Sequence, residues 1–576
     1  MRHRGIHRAL CLLLLTTPLS GCRRTSGNPA RSAEPGFAGA TKPEQLSPNG
    51  VAALESYLDA AQLSDLQYPD FQDYRSEAKE FYAFVGNGLP WVLDRRPSPQ
   101  AQAIVKVLEL ASEEGLNPVD YDGPRWDGRL GRIDSGRASE PELIRFDLAV
   151  TVSAMRYVSD LHRGRVNPRE FHFDLDIKNK KIDLSEFLRQ KLVDAEDAAA
   201  VMRTVEPPFP AYRQTVDALR TYMKLASNDD GEVLPLPPKS VKPGDAYSGV
   251  PRLKRLLSLL GDLPGTEATE APELIYKGSL TAAVKHFQER HGLEANGIID
   301  THTFKELNTP LSQRVVQLQL TLERWRWLPH EFERPPIVVN IPEFRLYVAN
   351  EEYHPAFSMK VVVGRSYKHQ TPVFAAELKS VIFRPYWNVP LDIQRRELLP
   401  ELKKNPNYLQ KYSFEVVDHS GEVVSEDGVS EEIRKQLSSG KLAIRQRPGP
   451  DNSLGLVKFD LPNVYDVYMH GTPATQLFSR SRRDFSHGCI RVEDPVALAA
   501  WVLSDKPEWD TDQIRGAMYG DKTLRVSLTK PIPVLILYGT AVVTKAGEIH
   551  FLDDIYRLDA MLEKVLAKGY PYAGND

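Results

Sequence analysis

The sequence predicts a multidomain α+β protein with a helical N-terminal half, a small three-helix module and a β-rich C-terminal domain. Three observations carry this. A chain of 576 residues exceeds what one hydrophobic core organises. Apolar residues recur at helical intervals between about 51 and 205. From Pro336 onward the periodicity changes to short runs of β-branched and aromatic residues broken by turn signals.

The first segment concerns export rather than fold. Arg2, Arg4 and Arg8 precede the apolar run 9–15, too short for a permanent membrane helix. It ends in Leu19-Ser20-Gly21-Cys22, which resembles a bacterial lipobox and makes 1–22 a lipoprotein signal with its lipobox; the resemblance implies lipidation of Cys22, which becomes the new N-terminus. An ordinary cleaved signal with a chance cysteine is the alternative. Residues 23–50 are rich in Gly, Pro, Ser and Ala and poor in large apolar residues, which predicts a tether. The net charge of -4 carries no basic surplus, so no nucleic-acid partner is expected.

Residues 51–240 read as a helical domain, with order starting near Val51. Residues 101–114 and 140–161 carry apolar faces, and Gly115 stops the first. Phe81, Tyr82, Phe84 and Trp91 could line a groove, but aromatics at this spacing belong more often to a core. The run Asp160-Leu161-His162-Arg163-Gly164-Arg165 contains acid and base together. Basic residues favoured by a helix C-terminus explain it more simply.

After the break Leu234-Pro235-Leu236-Pro237-Pro238, residues 241–308 predict three short helices. Val250, Leu253, Leu256, Leu257 and Leu260 mark the first, Leu280, Ala283, Val284 and Phe287 the second, and residues 303–307 the third. The segments Ala283-Val284-Lys285-His286-Phe287-Gln288 and Gly297-Ile298-Ile299-Asp300 make this module resemble a small peptidoglycan-binding domain. His286, His291 and His302 lack a supporting cysteine or acidic set at zinc-ligand spacing. Exposed helix histidines are the expectation, and no metal.

Residues 309–545 form the predicted β-rich domain, with few helices, and 546–576 a C-terminal helical segment. Strands are expected at 337–341, 344–348, 357–363, 380–383, 464–469, 524–528 and 534–543. Asp494-Pro495 supplies a helix cap and first-turn proline for the apolar run 496–503. Tyr465-Asp466-Val467-Tyr468-Met469-His470 alternates like a half-buried strand ending in His470. Nineteen positions later, after a loop with Arg480, Arg482 and Arg483, comes Ser486-His487-Gly488-Cys489-Ile490-Arg491. With Cys11 in the signal and Cys22 at the lipobox, Cys489 has no disulfide partner. A nucleophilic thiol needs a nearby base or cation, and His470 and His487 are the candidates. A zinc site of His470, His487 and Cys489 lacks an evident fourth ligand, and an inert buried cysteine is the remaining alternative.

A histidine, a spacer of this size and Ser-His-Gly-Cys together resemble the catalytic motif of L,D-transpeptidases. Glu323-Arg324-Trp325-Arg326-Trp327-Leu328-Pro329, Val363-Gly364-Arg365, Thr371-Pro372-Val373-Phe374, Pro385-Tyr386-Trp387-Asn388-Val389-Pro390 and Gln446-Arg447-Pro448-Gly449-Pro450 extend the likeness to the large multidomain Gram-negative type. The resemblance implies a helical scaffold domain, the peptidoglycan-binding domain and a β-rich catalytic domain. It assigns an insertion at about 392–445 to a capping subdomain. By position it makes Cys489 the acylated nucleophile, His470 the base and Gly471 the carbonyl that orients it. His487 and Gly488 shape the oxyanion environment. The family often has asparagine where Arg491 stands, which leaves Arg491 a substrate or structural residue. Arg483 is a candidate for stem carboxylates, and Tyr386 and Trp387 for walls of the cleft.

The implied reaction is third-to-third crosslinking of tetrapeptide stems through a thioester, without cofactor. Peptidoglycan stem peptides are then the partners, and the family's chemistry implies that carbapenems acylate the same thiol. Three alternatives are hydrolysis as an L,D-carboxypeptidase or endopeptidase, stem-to-protein attachment, and a non-catalytic wall-binding lipoprotein. The expected location is the periplasm, lipid-anchored to the outer membrane.

Overall fold

The computed structural model describes residues 44–572, apart from 172, 178–179 and 265–273. The expected export signal with Cys11 and Cys22, and the expected tether as far as residue 43, lie outside the described residues.

Helical order starts at Pro48, three residues before the expected Val51. Ser47 caps the helix Pro48–Ala60, its hydroxyl accepting from the Gly50 amide at 3.0 Å, and Pro48 takes the first turn, where a missing N–H costs nothing. These two cap residues fall inside the Pro- and Ser-rich stretch, whose composition conceals a start signal.

The helical region wraps around the 24-residue helix Glu140–Arg163, which is buried on nearly every side. Phe81, Tyr82 and Trp91 are fully enclosed, as core aromatics should be, whereas Phe84 is 46% exposed beneath the Arg189 guanidinium. Asp147, at 0% exposure, accepts from the Tyr82 hydroxyl at 2.6 Å and the Trp91 amide at 2.8 Å, which satisfies a buried carboxyl.

Of that run only His162 and Arg163 lie in the last turn, and because burial lowers the His162 pKa the dipole finds a cation only at Arg163; Asp160 and Arg165 are engaged elsewhere. Asp160 accepts from the Tyr121 hydroxyl at 2.8 Å, and Arg165 pairs with buried Glu323 at 3.1 Å. Glu323 also accepts the Arg165 amide at 2.6 Å. The chain can approach so closely because residue 164 is glycine: a Cβ there would lie 2.8 Å from Glu323 Oε1 and Trp327 Nε1.

The module consists of helices Val250–Leu259, Ser279–Arg290 and Thr301–Leu307 around a small core of its own. His302 is exposed and His286 half-exposed, but His291 is not: it is 5% exposed and stacks on Phe287 at 3.8 Å. Its position one turn beyond Phe287 puts both on the buried face. His286 bridges Asp262 at 2.7 Å and Glu548 at 2.8 Å, tying the module to the C-terminal hairpin.

The β-rich domain is built on a nine-stranded sheet. Its order is Asp484–Ser486, Pro355–Gly364, Ile490–Val492, Met469–His470, Val457–Asp460, Phe374–Phe383, Leu524–Leu537, Ile337–Asn340, Arg345–Ala349. Arg345–Ala349 also pairs with Pro355–Gly364, closing the sheet into a barrel-like ring. Helices Pro210–Asn228 and Leu311–Arg326 bury their apolar faces in this domain's core, so it carries more helix than the β-rich pattern suggested.

Two strand expectations change. The runs 524–528 and 534–537 belong to one strand, with a register shift between Ser527 and Ile532. Only the last two residues of 464–470 are strand. Asn463 Oδ1 accepts from the Tyr465 amide at 3.0 Å and the Val467 amide at 3.3 Å, and Asp466 has φ +52°. A local side-chain turn overrides the alternating pattern there.

The insertion folds as a unit with its own core. Its four-stranded sheet runs Trp387–Asn388, Ala443–Gln446, Phe414–Val417, Val423–Ser425. The C-terminal segment is only partly helical: Ile549–Phe551 pairs with Ala541–Val543 before the helix Leu558–Leu566. The chain then returns to the helical region, where the Tyr572 hydroxyl donates to Asp120 at 2.5 Å. Among the described residues, no helix is long and apolar enough to cross a membrane.

Candidate active site

Strand register assembles the site. Met469 and His470 pair in parallel with Ile490 and Arg491, and the Ile490 amide donates to the Tyr468 carbonyl at 3.0 Å. Side chains alternate across a sheet, so Met469 and Ile490, both 0% exposed, face the core. Tyr468, His470, Cys489 and Arg491 therefore share the opposite face. The antiparallel partner of His470 is Lys458, which joins them.

Cys489 is half-buried, and its thiol points at the Asp466 carbonyl, 3.7 Å away. Burial raises its pKa above the ordinary thiol value, opposed by hydrogen bonding from Tyr468 and by the charges of Lys458 and Arg491. His470 is 4% exposed, and its Nδ1 lies 2.5 Å from the Gly471 carbonyl. A carbonyl can only accept, so Nδ1 carries the proton and Nε2 is left as the proton acceptor. Burial pushes the imidazole down to about 3; Arg491 adds to this and the Gly471 carbonyl opposes it. At neutral pH Cys489 and His470 are thus a neutral thiol and a neutral imidazole.

Gly488 precedes the thiol with φ +115°, which only glycine adopts without strain. Its carbonyl accepts from the Thr371 hydroxyl at 2.7 Å, and the same hydroxyl accepts from the Gly364 amide at 2.8 Å. The Ser486 hydroxyl donates to the Cys489 carbonyl at 2.6 Å. These bonds fix the peptide planes on both sides of Cys489.

The family model described as "L,D-transpeptidase catalytic domain" matches residues 334–536, which contain every one of these groups. The chain carries an L,D-transpeptidase catalytic domain. Residues 247–307 match the "Putative peptidoglycan binding domain" model and residues 76–219 the "Scaffold domain" model, in the order the sequence predicts. A protein of Haemophilus influenzae named "Putative L,D-transpeptidase" is 32% identical over 247 residues, covering 43% of this chain and 48% of the relative. The chain thus spans about half the length of that relative. A crystal structure of the L,D-transpeptidase (residues 123-326) from Xylanimonas cellulosilytica is 14% identical and covers 53% of this chain and all of that one. The TM-score of that comparison is 0.17.

Other residues singled out in the sequence fall into two groups around this L,D-transpeptidase site. His487 is within reach of it but engaged elsewhere: its Nε2 pairs with Glu397 of the insertion at 2.6 Å, and its ring lies 4.8 Å from that of His369. That contact joins the insertion to the motif through its histidine. Trp387 belongs to the insertion's first strand, and the Tyr468 hydroxyl is hydrogen-bonded toward both the Trp387 indole and the Cys489 thiol. Tyr386 is 42% exposed beneath the Arg445 guanidinium at 4.4 Å. Arg491 is half-buried beside Cys489, and its enclosed Nε has no hydrogen-bond partner.

Arg483 does not fit the carboxylate-reading part given to it. It is 7% exposed and donates to the carbonyls of Val361 at 3.2 Å, Phe344 at 3.0 Å and Ser481 at 3.2 Å, and to that of Arg480. Its donors are spent on backbone, so it braces the loop. Arg482 is likewise held by Asp484, at 2.7 and 3.0 Å. Tyr468, Lys458 and Thr371 were missed in the sequence reading. The first is legible from period two counted back from His470; the others depend on strand pairing and a cross-loop hydroxyl.

Proposed function

We propose that this chain is a cysteine L,D-transpeptidase that forms third-to-third peptidoglycan crosslinks from tetrapeptide donor stems. The observation that carries this is the shared sheet face of Cys489 and His470, with the His470 tautomer fixed by Gly471. Sγ attacks the carbonyl of the third stem residue while its proton passes to His470 Nε2. The oxyanion is met by the Cys489 amide, whose orientation the Thr371–Gly488 bond sets. Collapse breaks the C–N bond, His470 returns the proton to the departing D-alanine amine, and a thioester remains. An acceptor amine then attacks the thioester, giving its proton to His470. The C–S bond breaks, and the thiolate recovers a proton from the imidazolium.

Arg491 and Lys458, on the same face, supply positive charge for stem carboxylates, and Trp387 and Tyr386 wall the capped side. The binding module holds the enzyme on its polymeric substrate, which raises the local stem concentration. Such an enzyme works at the cell wall, in the periplasm, with a lipid on Cys22 tethering it to the outer membrane.

The test is to incubate purified protein with tetrapeptide muropeptides and analyse it by mass spectrometry. A third-to-third dimer and a thioester on Cys489, both absent in Cys489→Ser, are expected. Tripeptide without dimer would assign the enzyme to hydrolysis, and absence of the adduct would remove both readings.

A further inference from the structure

Arg491 is half-buried on the face that carries Cys489 and His470, between His470 on one neighbouring strand and Val362, 0% exposed, on the other. Its enclosed Nε has no hydrogen-bond partner, and among the described residues no carboxylate pairs with its guanidinium. The charged neighbours that act on it are Cys489 and a second cation, Arg365. Lys458, the other cation on this face, is accounted for: its Nζ lies 3.4 Å from Asp460 and 4.1 Å from the centre of the Tyr468 ring. Withdrawing a guanidinium from water without an anion is costly, and its planar fork is shaped for a carboxylate. A substrate carboxylate supplies what the chain does not.

The place of Arg491 in the sheet says which carboxylate. In the reaction above, His470 returns its proton to the amine of the departing fourth residue. That residue bears its carboxylate on the next carbon, about 2.5 Å from the nitrogen. Neighbouring strands lie about 4.8 Å apart, so a carboxylate carried by an amine at His470 comes beside the residues that flank His470, which are Lys458 and Arg491. Of these, Arg491 is the one without an anion. Cys489 precedes it by two positions on the same face, about 6–7 Å along the strand. Sulfur, imidazole and guanidinium thus stand in the order of the acyl carbon, the leaving amine and its carboxylate. The stem's other carboxylates lie on the acyl side of the scissile bond and stay with sulfur.

Resting on the thioester reading above, we propose that Arg491 binds the free carboxylate of the donor's fourth residue and thereby selects stems that end there. An amide at that position, or a fifth residue in peptide linkage, removes the negative charge and leaves the guanidinium against a neutral group. The bond changes are those already given: Sγ–C forms, C–N breaks, and the departing amine takes the proton held by His470. Arg491 makes no covalent bond in that sequence; it decides which leaving groups are held at His470.

The test compares three donors on the full chain: the tetrapeptide muropeptide, the same muropeptide with its terminal carboxylate converted to an amide, and the pentapeptide muropeptide. Thioester formation on Cys489 is followed by intact mass. The parent is expected to acylate from the tetrapeptide about ten- to a hundredfold faster than from the amide or the pentapeptide, the range set by a charge-assisted pair. In Arg491→Gln that ratio falls to within about threefold of unity, and in Arg491→Lys, which keeps the charge without the fork, it is intermediate. A ratio is read because Arg491 also acts on Cys489 and His470, and any change in their reactivity is common to all three donors. The parent's own ratio depends on no variant being folded. A parent that accepts the amide as fast as the acid overturns the proposal, and if it also refuses the pentapeptide the site selects on length instead. An undiminished ratio in Arg491→Gln overturns it equally. A parent that forms no thioester from any donor is a different failure, that of the underlying reading.

Discussion

Replacing Thr371 by valine keeps the shape of a side chain that is 1% exposed and deletes its hydroxyl. That hydroxyl donates to the Gly488 carbonyl at 2.7 Å and accepts from the Gly364 amide at 2.8 Å. If the backbone stays in place, two buried groups lose their partners at about 1–3 kcal/mol each, a total of about 2–6 kcal/mol. If the Gly488 peptide instead rotates to find another donor, stability recovers but the Cys489 amide turns away from the oxyanion. Stability and acylation therefore trade off, and at least one must fall. Urea unfolding followed by tryptophan fluorescence reads the first, aided by Trp509, which stacks on Phe383 at 5.1 Å within the catalytic core. Thioester formation from tetrapeptide, followed by intact mass, reads the second. Thr371→Ser retains the hydroxyl and loses one methyl, so it should cost only about 1 kcal/mol and acylate normally. A Thr371→Val protein with the parent's midpoint and acylation rate would refute the argument that this hydroxyl sets the peptide planes around the nucleophile.

Iodoacetamide alkylation of Cys489 should be slow at neutral pH and keep rising above pH 9, because burial raises the thiol pKa and the buried His470 is uncharged down to about pH 3. A plateau below pH 7 would instead reveal a thiolate–imidazolium pair. The same His470 shift has a stability consequence: its folded pKa is depressed, so its contribution is full above about 6.5 and is lost as pH falls toward 3, seen as a declining melting temperature. Glu397→Gln removes the charged partner of His487 across the capping insertion; with both groups partly exposed, acylation should slow about two- to fivefold and become less salt-sensitive, measured as rate against ionic strength. Glu323→Gln leaves Arg165 and Arg326 as buried cations without their carboxylate. Destabilisation of about 3–5 kcal/mol is expected in urea unfolding, whereas an exposed pair would cost under about 1 kcal/mol.

The order of parts and the candidate thiol are legible in the chain alone. Helical spacing, three short helices and a run of β-branched segments are local signals, read within a few residues of one another. The same holds for Asp494-Pro495, whose carboxylate caps its helix by accepting the Ala497 amide at 2.9 Å. Cys489 stood out because the sequence places the other two cysteines in an expected export signal and lipobox, and His470 because it stands nineteen positions before it. The make-up of the site depends instead on which strands lie side by side. The parallel register of Met469–His470 with Ile490–Val492 turns two motifs into one face, and it adds Tyr468 and Lys458, which no local pattern couples to a thiol. Thr371 reaches Gly488 across 117 positions, and Glu397 reaches His487 across 90. Arg483 illustrates the limit from the other side: an arginine in a basic loop reads as available for a substrate until the fold surrounds it with backbone carbonyls. Chemistry-bearing residue types are written in the chain, but burial and hydrogen-bond partners belong to pairs of segments, and the fold alone brings those segments together.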